Sequence, residues 1–194
     1  MTTTHLLYLH GFRSSPQSTK ARILGDHIAS QHSRVRWWCP QLPPSPREAA
    51  ALIAEGIASW PRETMAVVGS SLGGYYASWV AQLARCKSVM INPAVNPARD
   101  LEGYIGEQTS WHDPEDSFFF RPEYIEELRQ LDTRAMTPAA PEMVLIAQGD
   151  EVLDWREMSE RYPHALQLVQ EGGDHALSNF AEYLDRIEEF LALA

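Results

Sequence analysis

The sequence predicts an α/β fold, a mostly parallel sheet with helices on both faces and a cap segment. Two observations predict it. Short apolar runs alternate with helical patterns almost to the end of the chain. One of those runs, VVGSSLGGYYASW at residues 67–79, passes from a strand pattern through glycines and two serines into a helical pattern.

LLYL (6–9) reads as a buried first strand, with a helix over about 18–30. VRWWC (35–39) is a second strand ending in the proline-rich QLPPSP, and an alanine-rich helix at 47–60 is closed by Pro61. MAVV (65–68) is the third strand, and the helix after it runs to about residue 84. SVMIN (88–92) is the fourth, stopped by Pro93. MVLIAQ (143–148) and LQLVQ (166–170) are the fifth and sixth, each followed by a helix, the last from about 179 to the end. Strands that alternate with helices imply right-handed crossovers and a parallel sheet covered on both faces.

Residues 97–137 break the alternation. They contain Tyr104, Trp111, Phe118, Phe119, Phe120 and Tyr124, and one helix is expected at 122–131. A segment this long, with no strand of its own, is usually functional or disordered, and its aromatics argue against disorder. It is read as a cap inserted into a single domain, 1–194, over the carboxyl edge of the sheet, where open α/β folds bind ligands.

Composition excludes several classes. The chain has 194 residues, 44% of them hydrophobic and 22% charged, as in an ordinary soluble domain. Its formal charge of −10, with no basic run, repels nucleic acid and anionic membrane surfaces. The start, MTTTHLLYLHGF, lacks the pattern of a secretory signal, and no apolar stretch approaches the roughly 18 residues of a membrane span. Cys39 and Cys86 suggest neither a metal pair nor a disulfide framework, so a cytoplasmic protein with free thiols is expected.

Gly69, Ser71 and Gly73 fit G-x-S-x-G; Ser70 cannot be central, because Val68 would stand in its first glycine position. In a nucleophile elbow the serine sits in a strained strand-to-helix turn, and small neighbours let the two backbones approach. The serine then needs a base, and the base an orienting acid, in the chain order Ser, Asp or Glu, His. QGDEVLD after the fifth strand offers Asp150, Glu151 and Asp154, and EGGDHAL after the sixth offers Asp174 and His175. Asp150 is favoured as the acid, with Asp154 as a helix cap and Asp174 as a turn or cap residue. Two glycines before Asp174 allow a tight loop that returns His175 over the sheet. The other histidines, at 5, 27, 32, 112 and 164, lack metal-ligand spacing and receive no role.

An oxyanion hole would use the backbone N–H of Leu72, after the nucleophile, and that of Phe12 in the loop after the first strand. His10 would hold that loop. GFRSSPQSTK lacks the second glycine of a phosphate loop before Lys20, so Walker-type nucleotide binding is rejected.

Together, LYLHGFRSSPQSTKA, QLPPSP, VVGSSLGGYYA, INPAVNP, QGDEVLDW and EGGDHAL resemble the YqiA-like esterases, small bacterial α/β-hydrolases, in order and over nearly the whole chain. The resemblance implies a compact α/β-hydrolase fold beginning at the oxyanion-loop strand, and esterase activity on acyl esters or thioesters. Carried over by position, the nucleophile is Ser71, the acid Asp150 and the base His175.

This chemistry needs no metal or organic cofactor. Dehalogenase or epoxide hydrolase chemistry would want a carboxylate at position 71, and a serine points to acyl transfer. A small-molecule acyl ester or thioester is the expected partner. The cap's aromatics fit an acyl pocket and a packed cap core equally. Ten Asp/Glu against four Arg in 97–137 favour neutral esters over coenzyme A if that face lines the entrance; a solvated face would look the same. Two other readings share these residues. A catalytically silent binding protein would be expected to have lost a triad position, and a peptidase or amidase would want a peptide groove that nothing marks.

Overall fold

The computed structural model describes residues 1–111, 115 and 117–194. The central sheet is built from β1 (His5–Leu9), β2 (Arg36–Trp38), β3 (Met65–Ser70), β4 (Lys87–Ile91), β7 (Glu142–Ala147) and β8 (Leu166–Gln170). All five pairings are parallel, in the order β2-β1-β3-β4-β7-β8. The connecting helices are α1 (Thr19–Gln31), α2 (Pro46–Gly56), α3 (Leu72–Ala84) and α6 (Trp155–Arg161), and α7 (Leu184–Leu191) closes the fold. Between β4 and β7 the chain forms α4 (Pro97–Asp100), β5 (Gly106–Thr109), β6 (Ser117–Phe120) and α5 (Glu123–Gln130).

Successive strand side chains point to opposite faces, so each central strand feeds two cores. Leu7, Leu9, Val67, Met90, Val144 and Ile146 pack with residues of α2, α3 and α6. Leu6, Tyr8, Val68, Val89, Ile91 and Leu145 pack with residues of α1 and α7. That is why the strands read as continuous apolar runs. The chain leaves β1 toward β2 and returns past it to β3, so the order reverses between β1 and β3. Right-handed crossovers then put α1 and α2 on opposite faces, and the loops after β1 and β3 diverge to open a crevice at their carboxyl ends.

Three expectations are corrected. The 97–137 segment does have strands of its own: β5 and β6 pair antiparallel, Gly106 opposite Phe120 and Thr109 opposite Ser117. Three consecutive phenylalanines conceal the alternation in the sequence, although Phe120 is buried and Phe119 is 54% exposed. The helix expected to reach residue 60 ends at Gly56, where the Trp38 ring occupies the space a Cβ would need. The last helix is preceded by a 3-10 turn, Phe180–Tyr183, and becomes α-helical only from Leu184. His112 lies outside the described residues.

Glu127 of α5 anchors this segment to the main body. Its buried carboxylate accepts from Ser45 Oγ (2.6 Å) and Arg47 N–H (3.1 Å) at the start of α2.

Candidate active site

Ser71 stands alone between β3 and α3 with φ 55° and ψ −121°, a conformation costly for a residue with a Cβ. Its backbone is held on both sides. Ser71 N–H donates to Ile91 O at 2.9 Å, and Ser71 O accepts from Gly74 N–H (2.9 Å) and Ala94 N–H (3.1 Å). The flanking glycines are needed for contact: a Cβ on Gly69 would lie 2.0 Å from Gly73 O, and one on Gly73 would lie 1.9 Å from Leu9 O. Strand, turn and helix therefore close together only without those side chains.

His175 bridges the other two candidates. Its Nε2 is 3.0 Å from Ser71 Oγ, and its Nδ1 is 2.7 Å from Asp150 Oδ2. The Asp150 side chain has no exposed surface, and its Oδ1 accepts from the Val152 and Leu153 N–H groups, both at 2.8 Å. With both oxygens engaged, the carboxylate can hold one imidazole orientation, Nδ1–H toward itself and the Nε2 lone pair toward the serine.

The two loops that carry acid and imidazole are bound to each other. Gly149 N–H donates to Gly172 O at 2.8 Å, Gly172 and Gly173 have φ of +70° and +79°, and Glu151 Oε2 accepts from His175 N–H at 2.9 Å. Asp154 is the N-cap of α6, accepting from Arg156 N–H at 2.9 Å, and Asp174 accepts from Ser178 N–H at 2.9 Å. Neither carboxylate faces the imidazole as Asp150 does.

Sequence reasoning missed two residues that support the His175 loop. Asn92, fully buried with φ 39°, donates through Nδ2 to the carbonyls of Asp174 (3.0 Å) and His175 (3.1 Å) and accepts from Ala147 N–H through Oδ1 (2.8 Å). An asparagine closing the apolar run SVMI was the available signal. Lys20 Nζ donates to Ala176 O, and burial pushes its pKa down to about 8 despite nearby Asp174 and Asp150.

The loop after β1 lies against the serine. A Cβ on Gly11 would stand 3.2 Å from Ser71 Cβ. His10 is buried, accepts from Leu42 N–H at 3.1 Å and is 3.0 Å from Gly11 O, so it holds the loop as expected. The backbone N–H groups of Phe12 and Leu72 have no acceptor among the described residues, and both residues line the cleft containing Ser71.

That cleft, of about 440 Å³, is walled by residues including Leu101, Tyr104, Trp111, Val152 and Leu153, with His175 inside it. The aromatics of the 97–137 segment divide. Phe118 and Phe120 pack edge-on against the Phe12 ring at 5.9 and 5.2 Å and steady the loop, while Tyr104 contacts Phe12 at 5.6 Å and also faces the cleft. Trp111 N–H donates to Arg13 O at 2.8 Å, and the Arg13 guanidinium stacks 4.2 Å from the Trp111 ring centre. A larger cavity, of about 560 Å³, lies away from these residues, between Arg99, Arg134 and Arg161, and contains none of Ser71, Asp150 or His175.

The family model described as "Uncharacterised protein family (UPF0227)" matches residues 5–192. The chain belongs to UPF0227. This is the grouping that the YqiA-like resemblance anticipates. Another UPF0227 chain, protein YcfP of Escherichia coli, is 24% identical over 199 residues, spanning 97% of this chain and 99% of YcfP. Among solved structures, the fold is similar to alpha/beta hydrolase domain-containing protein 10 from mouse (TM-score 0.73, 15% identity, 97% of this chain and 89% of that one). It is equally similar to Est1E from Butyrivibrio proteoclasticus with ferulic acid bound (TM-score 0.73, 11% identity, 98% and 87%). This UPF0227 chain therefore has the α/β-hydrolase fold. Among its described residues no helix is long and apolar enough to cross a membrane.

Proposed function

We propose that this chain is a serine hydrolase that cleaves carboxylic esters, or acyl thioesters, through an acyl-enzyme intermediate. One observation carries the reading: His175 lies within hydrogen-bond reach of Ser71 Oγ through one ring nitrogen and of buried Asp150 through the other. A neutral imidazole oriented by a carboxylate is the base a serine hydroxyl requires.

In this reading Ser71 Oγ attacks the acyl carbonyl as its proton passes to His175 Nε2. Asp150 stabilises the imidazolium that forms. The tetrahedral oxyanion is met by the Phe12 N–H from the loop after β1 and by the Leu72 N–H at the start of α3, where the helix dipole adds to the stabilisation. His175 then protonates the departing alcohol or thiol, and returns as base to activate the water that releases the acid.

Apolar walls at Leu101, Tyr104 and Leu153 suit an uncharged acyl or aryl group. Asp100 and Glu151 outnumber Arg13 among the charged residues lining the same cleft, in a chain of net charge −10, which disfavours a polyanionic carrier such as coenzyme A. Neutral esters are thus the favoured substrates over acyl-CoA.

The test is labelling with a fluorophosphonate and mapping the adduct by mass spectrometry. A single adduct on Ser71, absent from Ser71→Ala, is expected; folded protein that does not label would overturn the proposal. A panel of p-nitrophenyl esters of increasing acyl length, run beside acyl-CoA, then sizes the pocket.

A further inference from the structure

At the opposite edge of the sheet, where α1 ends before β2 begins, the fold gathers two imidazoles and a carboxylate. His27 Nε2, in α1, and His32 Nε2, at its carboxyl cap, each lie 3.2 Å from Glu188 Oε2 in α7, and the three donor atoms all fall within 4.8 Å of one another. No spacing rule links residues 27, 32 and 188. Only the packing of α7 beside α1 does.

His32 marks this as more than a surface ion pair. It is over nine-tenths buried, and its Nδ1 is 3.1 Å from the main-chain oxygen of Ala194. That oxygen accepts, so Nδ1 is the donor of this contact, and in the neutral form of the ring Nε2 would present a lone pair. Among the described residues Nε2 has no hydrogen-bond partner of good geometry, and Glu188 Oε2 lies 3.2 Å away. A buried lone pair beside a carboxylate oxygen is unfavourable unless a proton or a metal cation stands between them. Bonds of about 2.0–2.1 Å in a tetrahedron put neighbouring ligand atoms roughly 3.3 Å apart, which the 3.2 Å from each imidazole nitrogen to Glu188 Oε2 matches. An imidazole whose second nitrogen donates to a main-chain oxygen is also the usual arrangement of a metal-binding histidine.

We propose that His27, His32 and Glu188 bind a divalent transition metal of the zinc type, with the remaining position open to water. Such an ion would clip α1 to α7 and would stabilise the fold without entering the chemistry at Ser71.

The test uses untagged protein stripped with a chelator. Zn²⁺ is titrated calorimetrically at neutral pH, Tm is measured with and without it, and Co²⁺ is added to read the visible spectrum of a tetrahedral site. One equivalent bound, a higher Tm and an intense cobalt spectrum are expected. Glu188→Gln and His27→Gln, each checked for folding by circular dichroism, should lose affinity by more than the roughly 10–100-fold that altering a ligand's supporting partner costs. Ser71→Ala should bind Zn²⁺ like the wild type, which separates this result from the fate of the hydrolase reading. Absence of binding, or equal binding by the folded variants, would overturn the proposal.

Discussion

The Asn92 side-chain amide donates to the main-chain oxygen of His175 at 3.1 Å, across 83 positions of sequence. The end of one strand thereby supports the loop that carries the candidate base. Asn92→Ala removes donors from two carbonyls and strands the Ala147 N–H, a loss of about 1–3 kcal/mol on each buried unsatisfied group. Since Asn92 acts through His175, kcat for a p-nitrophenyl ester should fall by about tenfold or more while KM stays nearly level. Unchanged kcat in a folded variant would reduce Asn92 to a purely structural role.

Asp150 and Asp154 are separable by substitution. Asp150→Asn offers His175 Nδ1 an amide in place of a carboxylate, and kcat should drop by roughly 10⁴-fold, the scale known for Ser-His-Asp enzymes with the wrong imidazole tautomer. Asp154→Ala should leave kcat within about twofold and cost about 0.5–2 kcal/mol through the lost α6 cap. Steady-state kinetics with thermal denaturation reads both. The reverse pattern would move the acid to Asp154.

Gly73→Ala places a methyl 1.9 Å from Leu9 O, backbone against backbone, and should destabilise the protein by upwards of about 3 kcal/mol. Gly103→Ala, where a Cβ meets nothing within 4 Å, should change stability by less than about 0.5 kcal/mol. Urea unfolding of the pair measures the difference. Equal midpoints would mean that the elbow tolerates a side chain.

Burial lowers the Lys20 pKa from its ordinary 10.5 to about 8. Between those values the unfolded chain binds more protons than the folded one, so this group makes stability rise with pH over that window. Below pH 8 both states carry the charge and the penalty is constant. Relative to Lys20→Met, wild-type Tm should therefore gain as pH increases from about 8 to 10. A Tm difference flat across that range would show that Lys20 is more solvated than its position implies.

Much of the fold was legible because its signals are local. Each of the six central strands is an apolar run within a few residues of its expected place, since a parallel sheet covered on both faces needs no alternation in its strands. Ser71 was legible for a related reason: the close approaches at Gly69 and Gly73 exclude any side chain, so the geometry is written as residue identity. The β5–β6 hairpin was hidden because Phe118, Phe119 and Phe120 are all apolar while only alternate members point inward. Asn92 looked like the last residue of a strand, because its partners at Ala147, Asp174 and His175 arrive from distant loops.

By itself the sequence determined the six central strands, the class of fold, the strained serine turn and the chain order of Ser71, Asp150 and His175. These follow from backbone sterics and burial, which act on neighbouring residues. Tertiary structure alone decided that Asp150 rather than Asp154 meets His175, that Asn92 and Lys20 hold the imidazole loop, and that His27, His32 and Glu188 meet at all. Those outcomes depend on where separate loops and helices come to rest on the sheet, and contacts between groups far apart in the chain leave no period or spacing along it.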